Sequence, residues 1–249
     1  MSGHSKWSTI KHKKAAVDKK RGKIFTRIAK EITIAAREGG GDPETNNALG
    51  LAVDKAKAAN MPKDNIERAI KRGTGELEGG ELFELMYEVV GPNGIGILVE
   101  VVTDNKNRAI ADVRHAVSKN GGNMGDSGSV AWQFTRKGYI AVSGDIDEDD
   151  LFMTAAEAGA DDVQFDETAE IFMEIDDFTT VRDVVRKAGF RIDEANVIYD
   201  PNATVTLDTA ETMQVMGFIE KIEELDDVQN VYSTLEISDE AIAQMEADG

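Results

Sequence analysis

The sequence predicts an α+β protein in which an N-terminal three-helix domain is followed by two ferredoxin-like α/β domains, one inserted in the other. Three observations support this fold class. Helical apolar spacing dominates the first 79 residues, and beyond them short β-type apolar runs alternate with helical segments. Residues 137–202 alone have the element order βαββαβ, which is a complete ferredoxin-like unit.

Three helices are predicted in the first region. Isoleucine recurs every four residues from position 24 to position 32, which indicates an amphipathic helix, and a glycine-rich stretch ends it. A second helix fits residues 46–59. A third opens with a pattern that resembles a capping box, Asp64 to Glu67, and ends at Gly73.

The remainder of the chain alternates between strands and helices. Strands are predicted at 86–90, 95–103, 129–134, 139–143, 163–165, 171–175, 195–199, 204–207 and 228–237, and helices at 107–119, 148–158, 180–188 and 210–225.

These elements are assigned to three domains. Segments 80–135 and 203–249 are each too small to bury a core alone, so we expect them to form one discontinuous α/β domain. Residues 137–202 are then inserted into that domain, and residues 1–79 form the helical domain.

The distribution of charge is more informative than the net charge of −19. Residues 1–75 carry 17 Lys and Arg against 8 Asp and Glu, whereas residues 76–249 carry 11 against 39. Such an asymmetry indicates contact between the basic part and nucleic acid or another polyanion. A solubilising charge pattern without a partner is the alternative. The acidic part repels phosphates, so we expect it to contact protein, or to contact nucleic acid only at selected edges.

Two groups of basic residues are candidates for nucleic-acid binding. Cations displace counterions from phosphates, and an aromatic face can stack on a base. Trp7 could instead anchor the N-terminal segment to a core. The first group, the arm, comprises Lys6, Trp7, Lys11, His12, Lys13, Lys14, Lys19, Lys20, Arg21, Lys23 and Arg27.

The second group lies around and inside the third predicted helix. Its alternative role is pairing within the helix, since carboxylates stand four residues before two of its members, but such pairs contribute only about 0.2–0.5 kcal/mol each. The group, called here the α3 patch, comprises Lys63, Arg68, Lys71 and Arg72.

Enzymatic and metal-binding functions are disfavoured by the residue types present. The chain has no cysteine, its three histidines are scattered, and no phosphate-binding glycine loop occurs. Alternating aspartates from Asp145 resemble the start of an EF-hand loop, but Asp150 and Ala156 occupy positions that require glycine and glutamate. We therefore predict no catalytic residues, no metal and no cofactor.

The sequence also suggests where the protein works. No stretch approaches the roughly 20 apolar residues that a membrane helix requires. The N-terminal residues show no signal-peptide pattern. We therefore expect a cytoplasmic protein with no membrane contact, and a monomer.

Several sequence runs are shared with a known family. They are Gly3–Trp7, Ile10–Ala15, Lys20–Phe25, Gly39–Pro43, Asn60–Asp64, Ile66–Ile70, Thr103–Arg108, Val113–His115, Lys119–Gly122 and Asp227–Tyr232. On these runs the chain resembles the YebC/PmpR family. The likeness spans the whole length and is looser between about 145 and 200.

The resemblance implies a three-domain cytoplasmic protein with a helical N-terminal domain and two α/β domains. Members of the family are described as DNA-binding transcriptional regulators. Related proteins, including a mitochondrial translational activator, are associated with the ribosome and with relief of stalling at proline-rich stretches. The family offers no enzymatic residues, and its motifs overlap both basic groups.

Three functions remain open at this point. The first is a factor that binds ribosomal RNA, and the second is a DNA-binding transcriptional regulator; either could also contact ribosomal or transcription proteins. The third is an adaptor that binds only protein. The chain lacks a helix-turn-helix with a series of base-reading side chains. About six to ten phosphate contacts would give steep salt dependence with little base selectivity. This balance modestly favours a structured RNA.

Overall fold

The protein is described by a computed structural model covering residues 18–165, 168–238 and 240–242, with side chains from Gly22 onward. These residues fall in two compact units. Unit 1 takes the chain up to Gln133 and again from Pro201, and unit 2 is Phe134–Asp200. The three-domain division remains a prediction. No helix in the described part of the chain is both long enough and apolar enough to cross a membrane.

The elements follow one another along the chain as helices first and then as mixed strands and helices. In order they are α1 (Asp18–Gly39), α2 (Asn47–Ala58), α3 (Lys63–Gly73), β1 (Phe83–Val90), β2 (Gly96–Thr103), α4 (Lys106–Lys119), β3 (Asn123–Met124), β4 (Phe134–Ser143), α5 (Glu148–Ala158), β5 (Asp162–Phe165), β6 (Ala169–Met173), α6 (Phe178–Lys187), β7 (Arg191–Pro201), β8 (Val205–Thr206), α7 (Thr209–Glu223), β9 (Val228–Ser233) and β10 (Leu235–Glu236).

The first three helices share one apolar core. Ile32 and Leu49 are fully buried in it, and Ile66 brings α3 onto the same cluster. Helices α1 and α3 cross closely at Gly73, where an added Cβ atom would collide with the carbonyl oxygen of Thr33. This close crossing fixes the position of α3 on α1.

The helix starts differ in how they are capped. Asn46 caps α2 by accepting the N–H of Leu49, and its amide also donates to the carbonyls of Ala35 and Gly40. Helix α3 has no side-chain cap, so the predicted capping box was wrong. Its N-cap is Pro62 in an extended conformation, which places Asp64 inside the first turn.

The sheet of unit 1 has the order β3-β1-β2-β9, and its neighbouring strands pair antiparallel. Helices α4 and α7 bury Val113, Val117 and Ile219 against one face of this sheet. Its element order is ββαβ…αβ. It therefore has four antiparallel strands under two helices, but its central strands form a direct hairpin, unlike those of the βαββαβ arrangement.

Unit 2 has the ferredoxin-like arrangement. Its order along the chain is βαββαβ, and its sheet order is β5-β6-β4-β7. Ile140, Leu151 and Val181 are fully buried, from a strand and both helices. The predicted fold class is confirmed: helices come first, and sheet-containing regions follow.

Several predicted strands differ in extent from the observed strands, among them two in unit 1. Residues 129–133 are not a strand, because the N–H groups of Val130 and Ala131 donate to the carboxylate of Glu88 instead of to a neighbouring strand. The predicted strand 228–237 is interrupted at Thr234, after which β10 pairs in parallel with β8.

Candidate nucleic-acid interface

The basic arm lies mostly outside the described residues. Lys6, Trp7, Lys11, His12, Lys13 and Lys14 precede them, and the side chains of Lys19, Lys20 and Arg21 are not described. The backbone of these last three residues belongs to the first turns of α1, which begins at Asp18. Their role in binding therefore remains a prediction.

The α3 patch is exposed. Lys63 has a side-chain exposure of 87% and lies 3.5 Å from Glu67, its i,i+4 neighbour. Arg68, Lys71 and Arg72 are also exposed. Among the described residues, none of these three takes part in a salt bridge, so the alternative of pairing within the helix is not observed for Arg68 and Lys71. The charges of α3 consequently face solvent.

Lys23 and Arg27 are placed differently, against the C-terminal end of α7. Lys23 donates to the carbonyl of Glu224 and lies 3.4 Å from the carboxylate of Asp226, and Arg27 donates to the carbonyl of Glu223. The last carbonyls of a helix have no partner inside it and carry partial negative charge, so cations are favourable there. These two members of the predicted arm thus neutralise a helix terminus of the same chain.

Burial of Arg27 has an electrostatic cost. Desolvation lowers the pKa of its guanidinium, and the negative charges of Glu223 and Asp226 oppose this effect. Arginine nevertheless remains charged near neutral pH. A partly buried cation that is already bound to carbonyl oxygen is poorly available to phosphate.

Lys30 continues the same face of α1 and was not predicted as a functional residue. Its ammonium donates to the carbonyl of Val102 at 2.8 Å, to that of Asp226 at 3.1 Å, and to the carboxylate of Asp227 at 2.8 Å. The side chains of Lys30 and Asp227 are only 15% and 13% exposed. The spacing of Lys23, Arg27 and Lys30 places them on one side of a helix, but gives no indication of what they contact.

Asp227 links α1 to the sheet region, because one carboxylate oxygen binds Lys30 and the other binds residues near the end of β2. Oδ2 accepts from Arg108 at 2.8 Å and from the hydroxyl of Thr103 at 2.9 Å. Partial burial would raise the pKa of Asp227, but the hydrogen bonds from Lys30, Arg108 and Thr103 outweigh it and hold the pKa below its usual value. We call Lys23, Arg27, Lys30, Arg108 and Asp227 the α1 lock.

The cations of the helical region therefore fall into two groups, one bound within the chain and one exposed to solvent. One side of α1 is bound to α7 and to the loop before β9, whereas α3 presents its positive charges outward. Among the described residues of this region, the exposed cations that take part in no salt bridge therefore lie on α3.

The comparisons first define a class of protein. Curated relatives that match nearly end to end are each named "Probable transcriptional regulatory protein". One from Geobacter sulfurreducens is 51% identical and covers 98% of this chain and 100% of its own. One from Syntrophus aciditrophicus is 52% identical, with 99% and 100% covered. The names are regulatory, not enzymatic.

Two domain families identify the particular group. Residues 5–76 match the family described as "TACO1/YebC protein N-terminal domain", and residues 82–235 match "TACO1/YebC second and third domain". The crystal structure of a conserved hypothetical protein from Aquifex aeolicus superposes with a TM-score of 0.84 at 43% identity, covering 91% of this chain and 94% of the other. The chain belongs to the TACO1/YebC family, which confirms the resemblance found in the sequence.

Proposed function

We propose that this regulator is a non-enzymatic nucleic-acid-binding protein whose contact surface is the basic helical region. The observation that carries the proposal is the α3 patch. Arg68, Lys71 and Arg72 are exposed cations on a helix whose position is fixed by the crossing at Gly73. Exposed Lys and Arg on a rigid element are the groups that release counterions from a phosphate backbone.

The proposal removes Lys23 and Arg27 from the predicted phosphate-binding set. Both are bound to carbonyl groups at the end of α7. The proposed contact surface consists of Lys6, Trp7, Lys11, His12, Lys13, Lys14, Lys19, Lys20 and Arg21 of the arm, together with the α3 patch.

Structured RNA, with ribosomal RNA as the main candidate, is the proposed target. The sequence has no helix-turn-helix with a series of base-reading side chains, and apart from Asn65 the polar side chains of α3 are all charged. The strongly acidic remainder of the chain favours a localised contact over wrapping of a duplex. A role in translation follows from this target.

A DNA-binding transcriptional regulator is the second candidate. The names of the curated relatives favour it. The basic surface would serve either polymer, because phosphate contacts do not distinguish sequence. An adaptor that binds only protein is the third candidate and is the one that binding assays eliminate most directly.

The deciding experiment compares ribosome co-sedimentation with a DNA mobility shift over a salt series. We expect the wild type to sediment with ribosomes and to bind DNA only without sequence preference. A specific promoter fragment shifted in the presence of excess competitor DNA, without ribosome association, would establish the DNA candidate instead. Absence of both complexes at low salt would leave the adaptor.

The residue-level test uses the double variant Arg68→Ala/Lys71→Ala. Loss of two phosphate contacts should reduce the slope of log K against log salt by about 1.4 for single-stranded nucleic acid and about 1.8 for a duplex. The matched control is Lys55→Ala/Lys57→Ala, which removes the same charge from α2. Lys55 pairs with Glu31 and Lys57 pairs with Asp54. Equal slopes for the two variants would show that the α3 patch does not contact phosphate.

A further inference from the structure

Trp132 is the most exposed of the large apolar side chains in the described residues, with 72% of its surface accessible. It lies in the short 3-10 segment Ala131–Gln133 of unit 1. A single exposed apolar residue is common on protein surfaces and needs no explanation by itself. The loop that carries Trp132 is unusual because it is fixed from two sides.

The first side of the loop is held by a carboxylate. Glu88, on β1, accepts backbone N–H groups from Gly128 at 2.6 Å, Val130 at 2.6 Å and Ala131 at 2.8 Å. Burial would raise the pKa of Glu88, but these three hydrogen bonds lower it. Hydrogen bonds from N–H groups to an ionised carboxylate are about twice as strong as neutral ones, so the loop backbone is firmly held.

The second side is held by the chain that returns into unit 1. The side chain of Asn202 donates to the carbonyl of Trp132 at 3.1 Å, and its backbone N–H donates to the carbonyl of Gln133 at 2.8 Å. Val130 is buried beneath the loop with an exposure of 1%. The backbone of Trp132 is therefore preorganised while its ring remains in solvent.

The indole ring itself has one polar group, and that group is occupied. Nε1–H donates to the carbonyl of Ser129 at 3.0 Å. A partner can consequently use only the faces and edges of the ring, because the single hydrogen-bond donor of indole is taken. Planar cations and nucleobases are the groups that stack on such a face.

The net charge of the sheet region discriminates between these two partners. Residues 80–133 and 201–249, the part of unit 1 that includes its sheet, contain 5 Lys and Arg against 19 Asp and Glu along the sequence. Of the five cations, Arg108 is bound to Asp227, Lys221 to Glu224, and Lys106 lies over the ring of Phe83. A nucleobase brings phosphates into this acidic field, whereas the guanidinium of a basic polypeptide is attracted by it.

We propose that Trp132 is the anchor of a docking surface for a basic protein segment, with an arginine side chain of that segment stacked on the indole face. The acidic sheet region attracts the segment, and the clamped loop presents a ring that loses little conformational freedom on binding. This surface is separate from the α3 patch and does not depend on nucleic-acid binding.

The experiment uses the full chain and a fluorescently labelled octa-arginine peptide, with affinity measured by anisotropy. Trp132→Ala should weaken binding by about 2- to 30-fold, the range expected for a cation–π contact. The affinity of Trp132→Phe should lie between those of the wild type and Trp132→Ala, since phenylalanine keeps a ring that attracts cations more weakly. Octa-lysine should bind less tightly than octa-arginine, because a guanidinium stacks on an aromatic face.

Two controls make the result decisive. Phe152→Ala removes an aromatic ring that is 48% exposed in unit 2 and should leave peptide affinity unchanged. In a Trp7→Phe background Trp132 is the sole tryptophan, so its emission should change saturably with peptide. If Trp132→Ala bound the peptide as tightly as the wild type, binding would be due to general charge attraction alone, and the proposal would be overturned. Oligouridylate binding that depends on Trp132, without peptide binding, would assign the ring to a nucleobase instead.

Discussion

Two sets of cations in the helical region look alike in sequence and are used differently. Lys23, Arg27 and Lys30 on α1 are bound to carbonyl and carboxylate oxygens of the sheet region, whereas Arg68 and Lys71 on α3 face solvent. Both sets are lysines and arginines at helical spacing in a basic segment. The number of cations in a segment therefore overestimates the number available to a polyanion, because some of them are already bound to oxygen atoms of the same chain.

The largest effect is expected at the centre of the α1 lock. Asp227→Asn removes the negative charge shared by Lys30 and Arg108, and leaves a largely buried ammonium without a counter-charge. Breaking such a pair from one side destabilises a protein by about 3–5 kcal/mol, and the lower end applies because both side chains keep some exposure. Urea unfolding of unit 1 measures the loss.

Asp226→Asn is the matched control for this substitution. Asp226 neighbours Asp227, but its side chain is 81% exposed and its contact with Lys23 is 3.4 Å long. An exposed pair of this kind contributes at most about 1 kcal/mol. If both variants lost the same stability, the lock would not depend on the buried carboxylate.

A smaller effect on stability, with a clear contrast in binding, is expected for Lys23→Ala/Arg27→Ala. The variant loses hydrogen bonds from charged donors to the end of α7, worth about 1.5–3 kcal/mol. At temperatures where it remains folded, its salt slope for nucleic acid should equal that of the wild type, unlike that of Arg68→Ala/Lys71→Ala. A reduced slope would place these two cations among the phosphate contacts.

The smallest effect near neutrality is expected from pH. The pKa of Asp227 is held below its unfolded value of about 3.9, so its contribution to stability is fully present above that value and is lost as pH falls through the folded pKa. The stability difference between wild type and Asp227→Asn should therefore be constant from pH 7 to 5 and shrink below about pH 4. A difference that persists undiminished at pH 2 would contradict the assigned ionisation.

Much of the fold could be predicted from the sequence because its signals are local. The isoleucine period of α1, the turn residues around each helix and the βαββαβ order of unit 2 depend on neighbours in the chain. Asn46 caps α2 because its side-chain oxygen can accept one of the backbone N–H groups that have no partner inside the helix. The capping box at Asp64 failed because Pro62, two residues earlier, fixed the start of the helix.

The loop at 125–133 shows the limit of local signals. Val130, Trp132 and Phe134 occupy alternate positions, which indicates a strand. The backbone N–H groups of this loop instead donate to the carboxylate of Glu88, about forty residues earlier in the chain. A carboxylate on a neighbouring strand was a better acceptor than another backbone. Trp132 is 72% exposed on this loop, which no local pattern in the sequence indicates.

The class of fold, the family and the separation of a basic N-terminal region from an acidic remainder can be read from the chain, because composition, periodicity and motif runs are local properties. Which basic groups remain exposed depends on the folded arrangement. Arg27 and Lys30 are bound by atoms 196 and 197 residues away, and an electrostatic contact depends on distance in space, which only the folded chain defines.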